Sequence, residues 1–285
     1  RTLATDINRP DAKYFLNRNE RAKPLMRVIS WNINSVRLRA PLVEKLITET
    51  AADVVCLQET KCPDDAFPGE AIREAGYPHQ AIRGEKGYNG VAIIARQPLH
   101  DHRHLNWVGR EDCRHQAVTL ESGVDIHNFY IPAGGDVPDR EANPKFDHKL
   151  RFLDELEAWS ASQREAPAVL VGDLNIAPHE DDVWSHKQLL RIISHTPVET
   201  EGMAAIMQAG GWHDAVRDAI PHGKLYSWWS YRARDWDTAD KGRRLDHIWV
   251  TPPLSKRVES ASVLRQARGW EQPSDHAPVI AIIGD

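Results

Sequence analysis

The feature that most constrains the fold is a succession of short apolar runs with strand character, recurring from residue 25 to residue 283. They fall at residues 25–31, 54–57, 90–95, 116–120, 125–131, 168–171, 245–250, 260–264 and 279–283. Each is rich in Val, Ile and other residues that fit a pleated surface. Helical spacing is rarer. Leu38, Leu42, Leu46 and Ile47 recur at that spacing between the first two runs. A second helix is predicted over about residues 145–161, where Phe146, Leu150, Leu153 and Leu156 form an apolar stripe.

Strands therefore outnumber helices, and neither a long Gly/Ser linker nor a low-complexity tract divides them. The pattern predicts an α/β chain with one domain over residues 26–285, built of two sheets packed face to face with helices outside. Residues 1–25 carry six basic and three acidic side chains up to Lys23 and no sustained hydrophobic period. They read as a mobile N-terminal extension.

The 285-residue length and a hydrophobic content of 41% suffice for a sizeable core. No apolar run approaches the roughly 18 residues of a membrane span, and no signal-peptide pattern is visible. The expectation is a soluble, intracellular (cytoplasmic) monomer. Cys56, Cys62 and Cys113 form no CxxC pair, which fits a reducing compartment and argues against structural zinc. A net charge of −5 does not by itself point to nucleic acid. Carboxylates gathered at an active site would bias the total in this direction, and a bound cation would reverse the local sign.

Two strand ends carry polar residues two apart: Asn32 and Asn34 after the first run, Asp173 and Asn175 after the sixth. Side chains two apart on a strand share a face, so each pair is expected to point one way. Either pair alone reads as ordinary turn chemistry; two in one chain suggest a site. Glu59 follows the second run, where a rigid scaffold can present a ligand to a cleft. Asp246 shares a strand face with Ile248 and Val250 and needs a partner, because burying a lone carboxylate is costly. His276 is the candidate, and an Asp–His bond would fix the imidazole tautomer. Were Glu59, Asp173 and Asp275 to converge at about 4 Å, each pair would repel by about 4 kcal/mol at an effective dielectric near 20. Such a site requires a cation, and an oxygen donor set with few carboxylates suits Mg²⁺, with Mn²⁺ as the alternative. His100, His102 and His104 alternate as on an exposed strand or loop and read as a solvated stretch rather than a metal site, and Glu180-Asp181-Asp182 as a solvated turn or helix start. No Walker loop, GxGxxG fingerprint or GxSxG elbow is present.

Together, Trp31-Asn32-Ile33-Asn34, Leu57-Gln58-Glu59-Thr60-Lys61, Gly172-Asp173-Leu174-Asn175, Arg244-Leu245-Asp246 and Ser274-Asp275-His276-Ala277-Pro278 resemble, in this order, the exonuclease III family of AP endonucleases. The resemblance implies a four-layer α/β sandwich, two packed mixed sheets flanked by helices, with the site at one edge. It implies an Mg²⁺-dependent phosphodiesterase that cuts duplex DNA 5′ to abasic sites and trims 3′ ends, including blocked ones. By the same resemblance Glu59 is the principal metal ligand, with Asn34 and Asp275 nearby. Asp173 orients and deprotonates the attacking water, held by Asn32 and Asn175. His276, supported by Asp246, donates to the scissile phosphate, and Tyr130 contacts phosphate or assists the leaving oxygen. Whether Asp173 or His276 is the base stays open in the sequence.

Trp228 and Leu245 match positions lining the family's pocket for a base-free sugar. Lys61 and Arg243 join them as substrate-binding candidates. Arg37, Arg39, Lys86, Arg114, Arg232, Arg234, Lys241, Arg244 and Arg268 are candidates for the DNA approach. Two departures stand out. Ala133 replaces a polar residue found in many members, and Arg243 stands where some carry a pocket tryptophan. Two other readings share these motifs: a related hydrolase of inositol phosphates, sphingomyelin or RNA tails, and a non-catalytic DNA binder on the same scaffold.

Overall fold

Twelve strands in two sheets carry the architecture of the computed structural model, which describes residues 25–284. The expected extension lies outside the described residues except for Leu25, which opens the first strand. The first sheet contains β1 (Leu25–Asn32), β2 (Val54–Gln58), β3 (His79–Arg83), β4 (Val91–Ala95), β11 (Val258–Val263) and β12 (Val279–Gly284), in the order β11-β12-β1-β2-β4-β3. The second contains β5 (Leu99–Arg103), β6 (His115–Leu120), β7 (Asp125–Tyr130), β8 (Ala168–Asp173), β9 (His213–Asp214) and β10 (Asp246–Val250), in the order β5-β6-β7-β8-β10-β9.

Each sheet holds one parallel pair, β1/β2 and β7/β8, and is otherwise antiparallel. A parallel pair needs a crossover, and in both sheets a helix supplies it. These are α1 (Val36–Thr50) between β1 and β2, and α3 (Pro144–Ala161) between β7 and β8. Other helices include α2 (Gly69–Glu74), α4 (His186–Leu189) and α5 (Pro197–Gly210). α3 starts where Asn143 accepts from the Lys145 N–H and Pro144 takes the first turn. α5 starts with a Thr196/Glu199 capping box and ends at Gly211, φ 62°.

Four layers result. Val28, Val54, Cys56 and Ile93 of the first sheet meet Val118, Ile126, Val169, Val171 and Ile248 of the second. On the outer face of the first sheet, Ile29, Trp31, Val55 and Leu57 pack against Val43, Leu46 and Ile47 of α1 and Ile72 of α2. On the outer face of the second, Phe129, Leu170 and Trp249 pack against Phe146, Leu153 and Leu156 of α3 and Met203 and Ile206 of α5. Gly172 lets β8 lie close to β7: with φ 149°, a Cβ there would stand 1.9 Å from the Phe129 carbonyl oxygen.

A buried polar link crosses the sheet interface beneath the site. Gln58 Nε2 donates to Asn128 Oδ1 (2.7 Å), and Asn128 Nδ2 donates to the Leu57 and Ala92 carbonyls (3.0 Å each). It fixes the two sheets against each other one residue before Glu59. Three cysteines are free, Cys56 and Cys62 buried. Among the described residues no helix is long and apolar enough to cross a membrane.

The helical stripe expected near residue 38 is displaced. Leu38 is 56% exposed, and the buried face is Val36, Arg39, Val43, Leu46 and Ile47. Arg39 leaves helical geometry (φ −120°, ψ 20°) next to Pro41, which removes a backbone donor and turns the face between the two helical halves. Glu180-Asp181-Asp182 forms a single 3₁₀ turn, but Asp182 is fully buried rather than solvated.

Candidate active site

The carboxyl ends of the two parallel pairs lie together at one edge of the sandwich. Register sets the residues side by side: Asn32 opposite Gln58, Tyr130 opposite Asp173, and Asp246 opposite Asp173 across the antiparallel β8/β10 pair. Asp173 is buried. Its Oδ2 accepts from Asn32 Nδ2 (2.8 Å) and its Oδ1 from the Asn175 backbone N–H (3.0 Å).

The two polar strand ends share one local geometry. The Asn34 N–H donates to Asn32 Oδ1 (3.0 Å), as the Asn175 N–H does to Asp173 Oδ1. Asn34 and Asn175 are both left-handed, φ 46° and 53°, which Asn tolerates better than most residues. The expected shared strand face is thereby corrected: each second residue has turned off the strand, because its own N–H is captured by the residue two before it. Asn175 holds Asp173 with its backbone, while its side chain donates to the Ile131 carbonyl (2.9 Å).

Glu59 (φ 51°) and Lys61 (φ 53°) also have left-handed backbones. This clustering of strained conformations beside Asp173 is characteristic of functional sites. Glu59 Oε1 accepts from Asn32 Nδ2 (2.8 Å) and Tyr130 Oη (2.9 Å). Glu59 Oε2 and Asn34 Oδ1 both lie 2.6 Å from the Lys61 ammonium, so these two oxygens converge on one positive charge. Asn34 Nδ2 reaches Asp275 Oδ1 (3.0 Å), and Trp228 Nε1 reaches Asp275 Oδ2 (3.0 Å).

His276 Nδ1 lies 2.8 Å from Asp246 Oδ2, which also accepts from Ser227 Oγ (2.6 Å). The Ser227 hydroxyl oxygen in turn accepts the Leu245 and Asp246 N–H groups (3.0 Å each). Ser227 was not picked out in the sequence, where a serine between aromatics carries no distinguishing signal. His276 Nε2 stands 3.8 Å from Asp173 Oδ2, beyond hydrogen-bond reach.

Electrostatics divide the site. Burial alone would lower the His276 pKa, but Asp246, Asp173 and Asp275 outweigh it and hold the ring at about 10. Burial, reinforced by Asp246 and Glu59 against the pull of His276, pushes Asp173 up to about 7. Burial would raise Glu59, yet Lys61 and the Asn32 amide keep it below the usual carboxylate range. Asp275 is likewise lowered against burial, by His276 and by donation from Asn34 and Trp228. Burial, then Glu59 and Asp173, push the Tyr130 phenol well above its ordinary value.

Donor atoms of Glu59, Asp173 and His276 lie within 4.8 Å of one another. A protonated imidazole is no metal ligand, which leaves the carboxylates of Glu59 and Asp173, with Asn34 Oδ1 converging beside Glu59 Oε2 on the Lys61 charge, as an oxygen donor set. That chemistry fits a hard divalent cation.

Trp228 and Leu245 fall in one apolar cluster with Ala177, Val183, Leu189 and Trp184. The Arg243 guanidinium lies 5.4 Å from the Trp228 ring centroid, and its Nη1 donates to the Ile193 carbonyl (3.1 Å) and Ser194 Oγ (2.8 Å). Arg243 therefore places a cation, rather than open space, beside Trp228. Trp229 is buried core.

Three approach cations are corrected. Arg244 is fully buried, held by Asp182 and Asp214. Arg39 is buried, bonded to the Gln272, Ile33 and Asn34 carbonyls and to Tyr231 Oη. Arg268 is buried against the Trp229 carbonyl. Arg37, Lys86, Arg232, Arg234 and Lys241 remain exposed.

The profile of the Endonuclease/Exonuclease/phosphatase family matches residues 29–276. The chain belongs to this family. Among relatives from the same family, it is 31% identical over 270 residues to exodeoxyribonuclease III of Haemophilus influenzae, covering 90% of this chain and 99% of that protein. An AP endonuclease from Archaeoglobus fulgidus superposes with a TM-score of 0.85 at 29% identity, covering 90% of this chain and 99% of that one. A 3′ phosphatase from Neisseria bound to product DNA hairpin superposes at 0.83 with 31% identity, covering 90% and 98%. The four-layer α/β sandwich is the fold of these relatives.

Proposed function

We propose that this protein is a divalent-metal-dependent DNA phosphodiesterase of exonuclease III type, which incises duplex DNA 5′ to abasic sites and trims or unblocks 3′ ends. The observation that carries the reading is the gap of 3.8 Å between a buried carboxylate, Asp173, and an imidazolium, His276. The two stand too far apart to bond each other and close enough to converge on one phosphate group and its attacking water. The kinship to an exodeoxyribonuclease, an AP endonuclease and a DNA-bound 3′ phosphatase supplies the substrate class.

In this reading Asp173 is the general base. With its carboxyl near pH 7 and both oxygens oriented by Asn32 and Asn175, it takes the proton of the attacking water. His276, kept cationic by Asp246, donates from Nε2 to a phosphate oxygen and stabilises charge that develops there. Tyr130 stays protonated and donates, either to phosphate or towards the departing oxygen. Glu59, Asn34 and Asp275 would hold Mg²⁺, with Mn²⁺ as the alternative. A divalent ion held there would supply positive charge against the phosphate and the leaving oxygen. Lys61 supplies a second positive charge beside Glu59. Trp228 and Leu245 accept a flipped sugar that lacks its base, and Arg243 edges that slot. Residues 26–285 act as one catalytic domain, monomeric and intracellular.

A substrate panel tests the reading: duplex DNA with one abasic-site analogue, duplex DNA with a 3′-phosphate, an inositol phosphate and sphingomyelin. Turnover of the two DNAs, lost in EDTA, is expected. Turnover confined to the inositol phosphate or the lipid would overturn the reading.

A further inference from the structure

The chemistry above makes no use of a fully buried ion pair between Lys149 on α3 and Glu199 on α5. The Lys149 ammonium donates to the Asn175 carbonyl (2.9 Å), to the Ala133 carbonyl (3.4 Å) and to Glu199. Glu199 accepts the backbone N–H groups of Ser194 (2.9 Å) and Thr196 (3.1 Å) and the Thr196 hydroxyl (2.7 Å). All three segments reached in this way border the site. Asn175 orients Asp173. Ala133 follows β7, which ends in Tyr130. Ser194 holds Arg243 against Trp228.

The loop after β7 is held by this contact from the Ala133 side and by Asn143 Nδ2, which donates to the Gly134 (2.8 Å) and Val137 (2.7 Å) carbonyls, from the other. Gly134 and Gly135 have φ 92° and 77°, so the segment has little conformational restraint of its own. A Cβ at Gly134 would meet the Lys149 stem at 3.0 Å, which shows how closely the loop is laid on that side chain. At Ala133, the backbone carbonyl makes the contact to the ammonium. A buried ion pair is a weak source of stability, because desolvation offsets most of the attraction, so net stability does not explain its presence.

We propose that the Lys149–Glu199 pair is a positioning device that ties the three loops bearing Tyr130, Asp173 and the Arg243 seat into one rigid frame. Neither residue touches substrate. The pair acts through Asn175, Ala133 and Ser194, and it leaves the metal ligands on the loops of the opposite sheet untouched. The catalytic part of this inference rests on the function proposed above.

The test is the double variant Lys149→Met/Glu199→Gln. Met refills the space of the alkyl stem, and Gln keeps an acceptor for the Ser194 N–H. Amide hydrogen exchange, melting temperature, kcat, KM and the half-saturating Mg²⁺ concentration are compared with the wild type. A near-wild-type melting temperature is expected, with faster exchange confined to residues 131–135, 174–177 and 193–196. On abasic duplex DNA, kcat should fall by about 10- to 100-fold, the scale of a small misplacement of catalytic groups, KM should rise as the Arg243 seat loosens, and the Mg²⁺ requirement should stay unchanged. Undiminished protection of those loops, a wild-type kcat, or failure of the double variant to fold would each overturn the proposal. The exchange arm needs no substrate. Loosened loops in a chain whose wild type ignores abasic DNA would refute the proposed function and leave the frame standing.

Discussion

Replacing Asp246 by Asn removes the charge that holds His276 cationic while nearly preserving side-chain shape. The two groups meet at 2.8 Å. At that separation and an effective dielectric near 20 their attraction is about 6 kcal/mol, or roughly four pKa units. His276, held at about 10 in the native site, should therefore fall to about 6 in Asp246→Asn. At pH 8 the imidazolium fraction would drop from nearly all to about 1%, and at pH 6 to about one half. Single-turnover incision of an abasic duplex should accordingly be about 100-fold slower than wild type at pH 8 and only about twofold slower at pH 6. A variant-to-wild-type ratio that does not change with pH would refute the claim that Asp246 acts by keeping His276 protonated.

Arg244→Met leaves Asp214 buried without its arginine and Asp182 with Arg217 alone, and urea denaturation should show a loss of about 3–5 kcal/mol; unchanged stability would return Arg244 to the DNA approach. Arg37→Ala or Lys86→Ala, at exposed cations, should each change the slope of log K for DNA against log salt by about 0.9, and a flat salt dependence would exclude both as phosphate contacts. Burial holds His127 at about 4 and His115 well below its ordinary value, so both stay neutral while the unfolded chain binds protons below about pH 6.5. Stability should therefore fall as pH drops from about 6.5 towards 4, and His127→Phe should flatten that slope in denaturation curves; an equal slope would remove the buried histidines as its cause.

Legibility in the sequence followed burial. Runs such as Val91–Ala95 and Ala168–Asp173 are buried along their whole length, and their apolar character announces them. β3 and β9 were missed because they are edge strands. One face of an edge strand can be polar, and β5 (Leu-His-Asp-His-Arg), also at an edge, reads equally as an exposed strand or a loop. The residues that gather at the candidate site were recognisable from five short motifs, since strand ends are rigid and local. What the motifs could not convey is long-range pairing. Arg244 reads as a surface cation until Asp182, 62 residues earlier, is seen to meet it. Lys149 sits in an ordinary amphipathic helix, and only packing against α5 shows that it is buried and charged. The turn at Asn34 was hidden for a different reason: alternation predicts a shared strand face, whereas capture of its N–H by Asn32 takes it off the strand.

The central claim is that a buried Asp173, facing His276 beside a metal held by Glu59, hydrolyses DNA. Its most direct test is incision of a duplex carrying one abasic-site analogue in Mg²⁺, comparing wild type with Asp173→Asn and Glu59→Ala and with binding to the same duplex measured in parallel. The account predicts a single cut 5′ to the lesion by the wild type. It predicts losses of at least about 10²-fold in both variants, the scale of a positioned general base, with the duplex still bound. Incision by Asp173→Asn at the wild-type rate would contradict it.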